Sequence, residues 1–167
     1  MKHAIALLTA LIFMALGCCA SAESFTPITV DGSNYLTNID NCIASIDQTT
    51  LGTDETFSFN RAVGQRTEER GYCSAPNGRG VDVVGGGVAQ VATTLSLAVK
   101  YMDNMEVVEK RTYGSDFCEG YVPDGEDAVV TDFGQNADFR FTNHGDAVVI
   151  RLWRDEGSIY CSITDTP

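Results

Sequence analysis

Positive charge is scarce in this sequence. Eleven Lys and Arg stand against 23 Asp and Glu, a formal net charge of −12 over 167 residues. The Lys and Arg residues form no cluster. The chain therefore has no electrostatic footprint for nucleic acid or anionic lipid. Histidine is rarer still, with His3 near the N-terminus and His144 as the only later imidazole. Six cysteines are present, but no CxxC pair, which argues against a zinc site. The acidic residues lack calcium-loop spacing. Neither a metal nor a cofactor is expected. Only four prolines occur, with no Pro-rich linker, internal repeat or low-complexity stretch, and the length suits one domain. Beyond Leu16 no apolar run approaches the ~20 residues of a membrane-spanning helix.

What is present begins with a leader. Lys2 and His3 give a short basic start, and Ala4 to Leu16 is an apolar run. Ala20-Ser21-Ala22 then reads as a small-residue cleavage site. Residues 1–22 are read as a signal peptide and 23–167 as a single mature domain, secreted or otherwise extracytoplasmic, in a periplasm or cell wall. The alternative is lipoprotein anchoring at Cys18 or Cys19. Ala15-Leu16-Gly17-Cys18 fits that loosely, since leucine is usual where Ala15 stands. The mature chain keeps Cys42, Cys73, Cys118 and Cys161. An even number in an exported domain points to two disulfides. Three pairings are open. The one taken here is Cys42–Cys161 with Cys73–Cys118, and free buried thiols are the alternative.

Residues 23–37 read as an extended segment with a turn at Asp31-Gly32. Residues 38–46 suit a short helix capped by Asn38, with Ile39, Cys42, Ile43 and Ile46 on one face. Thr56 to Gly64 reads as a strand, since Phe57 and Phe59 alternate with Ser58 and Asn60. Residues 65–80 form a long irregular segment. Strands are expected at Glu106–Thr112, Ala128–Phe133 and Ala137–Thr142. A hairpin of Ala147–Arg154 and Ser158–Ile163 turns at Asp155-Glu156-Gly157. Strands cluster after a single long helical pattern. The fold class is therefore α+β, with a central helix at about 88–102 and the short N-terminal helix packed on a mainly antiparallel sheet.

The centre of the chain is residues 81–102, VDVVGGGVAQVATTLSLAVKYM. A β-branched run meets Gly85, Gly86 and Gly87, and an amphipathic helix follows. Val88, Val91, Ala92, Leu95, Ala98, Val99 and Met102 recur at helical steps. Glycines let the backbone turn sharply into a helix start, whose N–H groups favour anions. The residue best placed to use such a start is Ala89, which carries no reactive group.

Five phrases together resemble the VanW family of exported bacterial cell-envelope proteins: FSFNRAVGQRTEERGY (57–72), GGGVAQVATTL (85–95), EVVEKR (106–111), YVPDGEDAVV (121–130) and DFRFTN (138–143). They stand in the family's order and cover about residues 38–163. The family's usual phrase GGGxCQxxTTLYNA has a cysteine where this chain has Ala89. Where the family reads ERHPHS this chain reads Glu109 to Gly114, so Tyr113 stands at the second histidine. The resemblance implies a cell-envelope domain, some of whose relatives are thought to be L,D-transpeptidases acting on peptidoglycan through a cysteine acyl-enzyme. A thiol at a helix start, beside a histidine and backbone oxyanion donors, suits that chemistry. An alanine methyl cannot attack a carbonyl, and a phenol with pKa near 10 is no substitute for imidazole. The positions Ala89 and Tyr113 are degenerate, and no catalytic residue is expected.

The remaining candidates are ligand-binding. Gly85, Gly86, Gly87, Gln90, Thr93, Thr94, Asp127 and Arg66 are placed around the helix start. Gln90 suits an amide-rich ligand, or else caps the glycine turn. Thr93 and Thr94 would need a base to act as nucleophiles, and more simply bond backbone carbonyls. Asp127, in GEDAVV, orients groups at the site or caps the Gly125 turn. Arg66 and Arg70 suit a ligand carboxylate, or a solvated loop. Cys73 or Cys118 could supply a displaced thiol. Asp138 and Arg140 read as a solvated strand face, and Trp153 as sheet cover. The leading reading is a catalytically degenerate envelope domain that binds a peptidoglycan stem peptide or an envelope protein. The alternatives are residual acyl transfer through a displaced nucleophile, and a purely structural scaffold.

Overall fold

The computed structural model describes residues 21–114, 121–131 and 137–166. The leader, with Cys18 and Cys19, lies outside the described residues up to Ala20, as does Cys118. The architecture is α+β, as expected. Strand β1 (Ser21–Pro27) is the first described element, and helix α1 (Ser33–Ile46) follows. Short strands β2 (Thr49–Leu51) and β3 (Thr56–Ser58) lead into a five-residue helix, α2 (Phe59–Val63). A 3₁₀ turn (Glu68–Arg70) precedes the hairpin of β4 (Ser74–Pro76) and β5 (Asp82–Val84). Helix α3 (Val88–Lys100) is the central helix. Strands β6 (Met105–Glu109), β7 (Arg140–Asn143), β8 (Val148–Arg154) and β9 (Ser158–Asp165) complete the chain.

The strands form three antiparallel sheets, ordered β1-β9-β8-β2, β3-β7-β6 and β4-β5. In the first, period-two alternation buries Val148, Ile150 and Leu152 of β8 and Ile159, Cys161 and Ile163 of β9. Helix α3 packs on β1, β9 and α1. Its apolar face is wholly inside, with Val91, Ala92, Leu95 and Ala98 at 0% exposure. The second sheet supplies an aromatic core. Phe57 lies 5.2 Å from Phe141, and Phe139 lies 5.5 Å from Phe141, all in tilted geometry. No described helix is long and apolar enough to cross a membrane.

Three differences from the sequence expectation have physical causes. Helix α1 starts at Ser33, not at Asn38. Asn38 is no cap but a fully buried interior residue whose amide bonds loop backbone, so tertiary hydrogen bonds override its capping preference. The strand expected over Thr56–Gly64 stops at Ser58. There Asp138 accepts from the Asn60 N–H at 2.9 Å and the Ser58 hydroxyl accepts from the Arg61 N–H at 3.2 Å, which caps α2 instead. The strand expected from Ala128 does not form over 128–131, and Asp132 and Phe133 lie outside the described residues. Its backbone is bound singly: Val129 N–H to the Arg111 carbonyl and Thr131 N–H to the Ala137 carbonyl.

The cysteine expectation is also corrected. Cys42 and Cys161 are free, buried thiols, not a cross-link. Cys42 faces the neighbourhood of Arg66 and Tyr72, whereas Cys161 sits mid-strand between β1 and β8. Burial pushes both thiols upward, Cys42 to about 12, so each packs as a small neutral group. Cys73 is a free, half-buried thiol. Its expected partner, Cys118, lies outside the described residues.

Candidate functional site

The glycine triplet is an elbow in which each residue has its own constraint. Gly85 and Gly87 have φ of +83° and +99°, in the region that glycine alone adopts at little cost. Gly87 is the N-cap of α3. Gly86 has a packing reason instead, since a side chain there would collide with the Ala75 carbonyl of β4. The turn is also tied from outside. Asn38 donates from Nδ2 to the carbonyls of Cys73 and Gly86, both at 2.9 Å, and accepts from the Cys73 N–H at 2.7 Å. The Gly85 N–H in turn bonds the Cys73 carbonyl. Part of the expected helix-start donor set is used internally. The Val88 N–H bonds Gly85 and the Gln90 N–H bonds Gly87.

Two cavities meet at this elbow. The larger, about 570 Å³, is bordered by Gly85–Gly87, Ala89, Arg66, Asn77, Arg79, Arg111, Tyr113 and the segment Val129–Thr131. The smaller, about 190 Å³, is bordered by Tyr35, Gln90, Tyr121, Pro76 and Gly78. Asn77, Gly87, Ala89 and Tyr113 border both. Half-buried Ala89 thus stands at the junction, and Tyr113 borders the same two cavities. The Tyr113 ring packs on the Gly78 backbone, and the Arg79 guanidinium lies 5.8 Å from its centroid. Burial holds the Tyr113 phenol above its ordinary value, with partial relief from a Gly78 backbone bond and nearby Arg79 and Arg66. The phenol is neutral at physiological pH and cannot act as a base there. Among the described residues bordering the larger cavity none is His, Cys, Asp or Glu.

Several expected site residues stand behind the wall rather than on it. Thr93 donates to the Ala89 carbonyl at 2.9 Å and accepts from the Ala128 N–H at 2.9 Å. Thr94 donates to the Gln90 carbonyl and shares a 2.6 Å bond with the Thr26 hydroxyl. Both threonines are fully buried and border neither cavity. Asp127, 1% exposed, accepts from the Tyr113 backbone N–H at 2.7 Å and so fixes Tyr113 at the cleft. Gln90 borders the smaller cavity, but its amide is used within the protein. It accepts from the Tyr35 hydroxyl at 2.8 Å and donates to the Pro27 carbonyl.

Other sequence candidates lie elsewhere. Arg70 borders neither cavity and donates to the Gln65 carbonyl at 2.5 Å. Cys73 braces the elbow through its backbone, and its thiol borders neither cavity. His144 is exposed at the β7–β8 turn, 3.0 Å from Asp54 and 2.9 Å from Glu106. It borders neither cavity. Asp138 caps α2, and Arg140 sits 4.0 Å from Glu109. Trp153 stacks on Tyr160 on the outer sheet face, with centroids 5.5 Å apart.

The sequence reading missed Arg79 and Arg111, as well as the braces Asn38, Asn60 and Tyr35. Arg79 is delivered by the β4–β5 turn, where the Asn77 side chain accepts from the Arg79 and Val81 N–H groups. That Asx turn is the one signal in the sequence, Asn77-Gly78, that could have revealed it. Arg111 follows β6 in a segment read as strand, and nothing in its spacing marks it.

A family model described as "VanW like protein" matches residues 34–164. Among curated proteins, the chain is 38% identical over 130 residues to a Bacillus subtilis (strain 168) protein named "Uncharacterized protein YoaR". The match covers 75% of this chain and 41% of that relative, so the chain corresponds to less than half of the relative's length. No solved structure matches significantly.

Proposed function

Because this chain belongs to the VanW family, we propose that it is an exported, non-catalytic envelope domain that holds a peptidoglycan stem peptide in the cleft beside the glycine elbow. One observation carries this reading: Ala89, without a reactive group, stands at the head of α3 where the two cavities meet. A position that would need a nucleophile offers a methyl, and Tyr113, which borders the same cavities, offers a neutral phenol. The cleft itself remains open and structured, which suits binding without turnover. Titration calorimetry with a stem tetrapeptide should give saturable heat, and the peptide should be recovered with unchanged mass. The absence of saturable heat at millimolar peptide, or covalent transfer of the peptide to the protein, would overturn the reading.

A scaffold reading is favoured by a separate observation. Asn38, Gln90, Thr93, Thr94 and Asp127 all spend their polar atoms on backbone or neighbouring side chains. Under that reading the frame survives because it packs α3, and the stem peptide gives no heat. Residual acyl transfer is a third reading, and a carbapenem probe separates it. Covalent labelling would establish an active nucleophile, and an unchanged intact mass removes that reading.

A further inference from the structure

Among the described residues that border the larger cavity, the charged side chains are all arginines. Three of the eleven Lys and Arg residues, Arg66, Arg79 and Arg111, border one cleft in a molecule of net charge −12. They come from three separate segments. Arg66 follows α2 and is 8% exposed. Its Nη2 donates to Asn60 Oδ1 at 2.7 Å, and its aliphatic stem packs against Gly85. Asn60 is itself fixed by the Ala137 carbonyl and the Asp138 carboxylate. Arg79 comes from the β4–β5 turn and leans over Tyr113. Arg111 follows β6 and is exposed at the rim. The other walls are largely apolar, with Ala89, Val83, Val129 and Val130.

We propose that this cleft is a carboxylate-binding site, and that Arg79 and Arg111, over the Arg66 floor, anchor the C-terminal carboxylate of a short peptide whose small side chains lie along the apolar walls. Planar guanidiniums pair bidentately with carboxylates, and such charge-assisted bonds are the strong ones. The buried Arg66 is held in place before binding, so little side-chain entropy is lost when an anion arrives. The long-range field of the acidic chain repels anions, so recognition falls to these three groups at short range. The proposal deepens the stem-peptide reading and rests on it for the choice of peptide.

The test uses acetyl-D-alanyl-D-alanine with a free C-terminus, the same peptide as its C-terminal amide, and intact sacculi. Wild-type protein is compared with Arg79→Gln/Arg111→Gln, whose altered side chains are exposed and whose fold is checked by circular dichroism. An Arg111→Lys variant keeps the charge but loses the bidentate fork. The free acid is expected to bind at least about tenfold more tightly than the amide. The double variant should lose that preference, and Arg111→Lys should retain part of it. Equal affinity for acid and amide, no binding of the acid at millimolar concentration, or an acid preference unchanged in the double variant would overturn the carboxylate anchor. Sacculus retention separates the two claims. If sacculi retain wild type and double variant alike, the stem-peptide reading stands without this anchor. If sacculi retain neither while the acid preference is present and Arg-dependent, the carboxylate site stands and the stem-peptide reading falls.

Discussion

Ala89 and Gly86 are both small residues of the elbow, yet the structure gives them different reasons for being small. Gly86 cannot carry a side chain, because its α-carbon lies against the Ala75 carbonyl of β4. A backbone obstacle does not rotate away. Gly86→Ala should therefore destabilise the protein by about 1–3 kcal/mol through overpacking, read as a lower urea midpoint. Ala89 is half-buried but borders two cavities, so a larger residue there has room. Ala89→Cys should fold with near wild-type stability and gain one thiol that iodoacetamide reaches in the native state. The helix start and the three arginines should draw its pKa below the ordinary ~8.5. The rate of alkylation against pH measures that value directly. A midpoint at or above 8.5 would show that the cleft is not electropositive. Cys42 and Cys161 serve as internal controls, since buried thiols should be alkylated only in denaturant.

Among the elements, α1 packs on α3 and also holds the glycine elbow through one side chain. Asn38 reaches from α1 to both ends of the β4–β5 hairpin and holds the elbow from behind. Asn38→Ala leaves buried backbone groups without partners. It should cost at least about 2 kcal/mol and raise hydrogen exchange at Cys73 and Gly86 before it affects the β8–β9 ladder. Uniform loss of protection would show that Asn38 is simply part of the global core. The same residue shows how far sequence reasoning reaches. Period and glycine chemistry place α3 and its elbow, because a long amphipathic run after three glycines has few alternatives. Asn38 reads as a cap because local propensity has no knowledge of the loop 35 residues away that captures its amide. The strand expected after Thr56 fails for the same reason, since Asp138 supplies an N-terminal cap from a distant segment.

At the scale of the whole molecule, charge is distributed unevenly, and the surface histidine gives that distribution a pH signature. His144 joins the β7–β8 turn to Asp54 and Glu106, and those hydrogen bonds raise its pKa above the ordinary 6.5. The folded state holds that proton more tightly than the unfolded chain. The contribution is fully present below about pH 6.5 and is lost as pH rises through the higher folded value. The thermal midpoint should therefore fall slightly from pH 6 toward pH 8, and His144→Gln should flatten that slope. A slope that persists in the variant would assign the effect to another group. Cys42 and Cys161 predict a second, alkaline decline, because unfolding lets thiols ionise that the fold keeps neutral. The gathering of three arginines at the cleft is the part of this distribution that sequence order conceals most fully. Arg66, Arg79 and Arg111 come from separate segments of the chain, and only folding brings them to one cleft.

The elbow cleft is proposed to bind a stem peptide without a nucleophile. Amide chemical-shift mapping tests it most directly, because it locates the contact on the fold. Trp153, the single tryptophan, lies on the outer face of the sheet, so its fluorescence is a poor reporter of the cleft. On titration with a stem tetrapeptide, the shifts should move progressively at Gly85–Ala89, Arg79, Arg111 and Tyr113, and reverse fully on dialysis. Shifts that stay fixed there at millimolar peptide, or that appear instead around Phe25, Trp153 and Tyr160, would contradict the account.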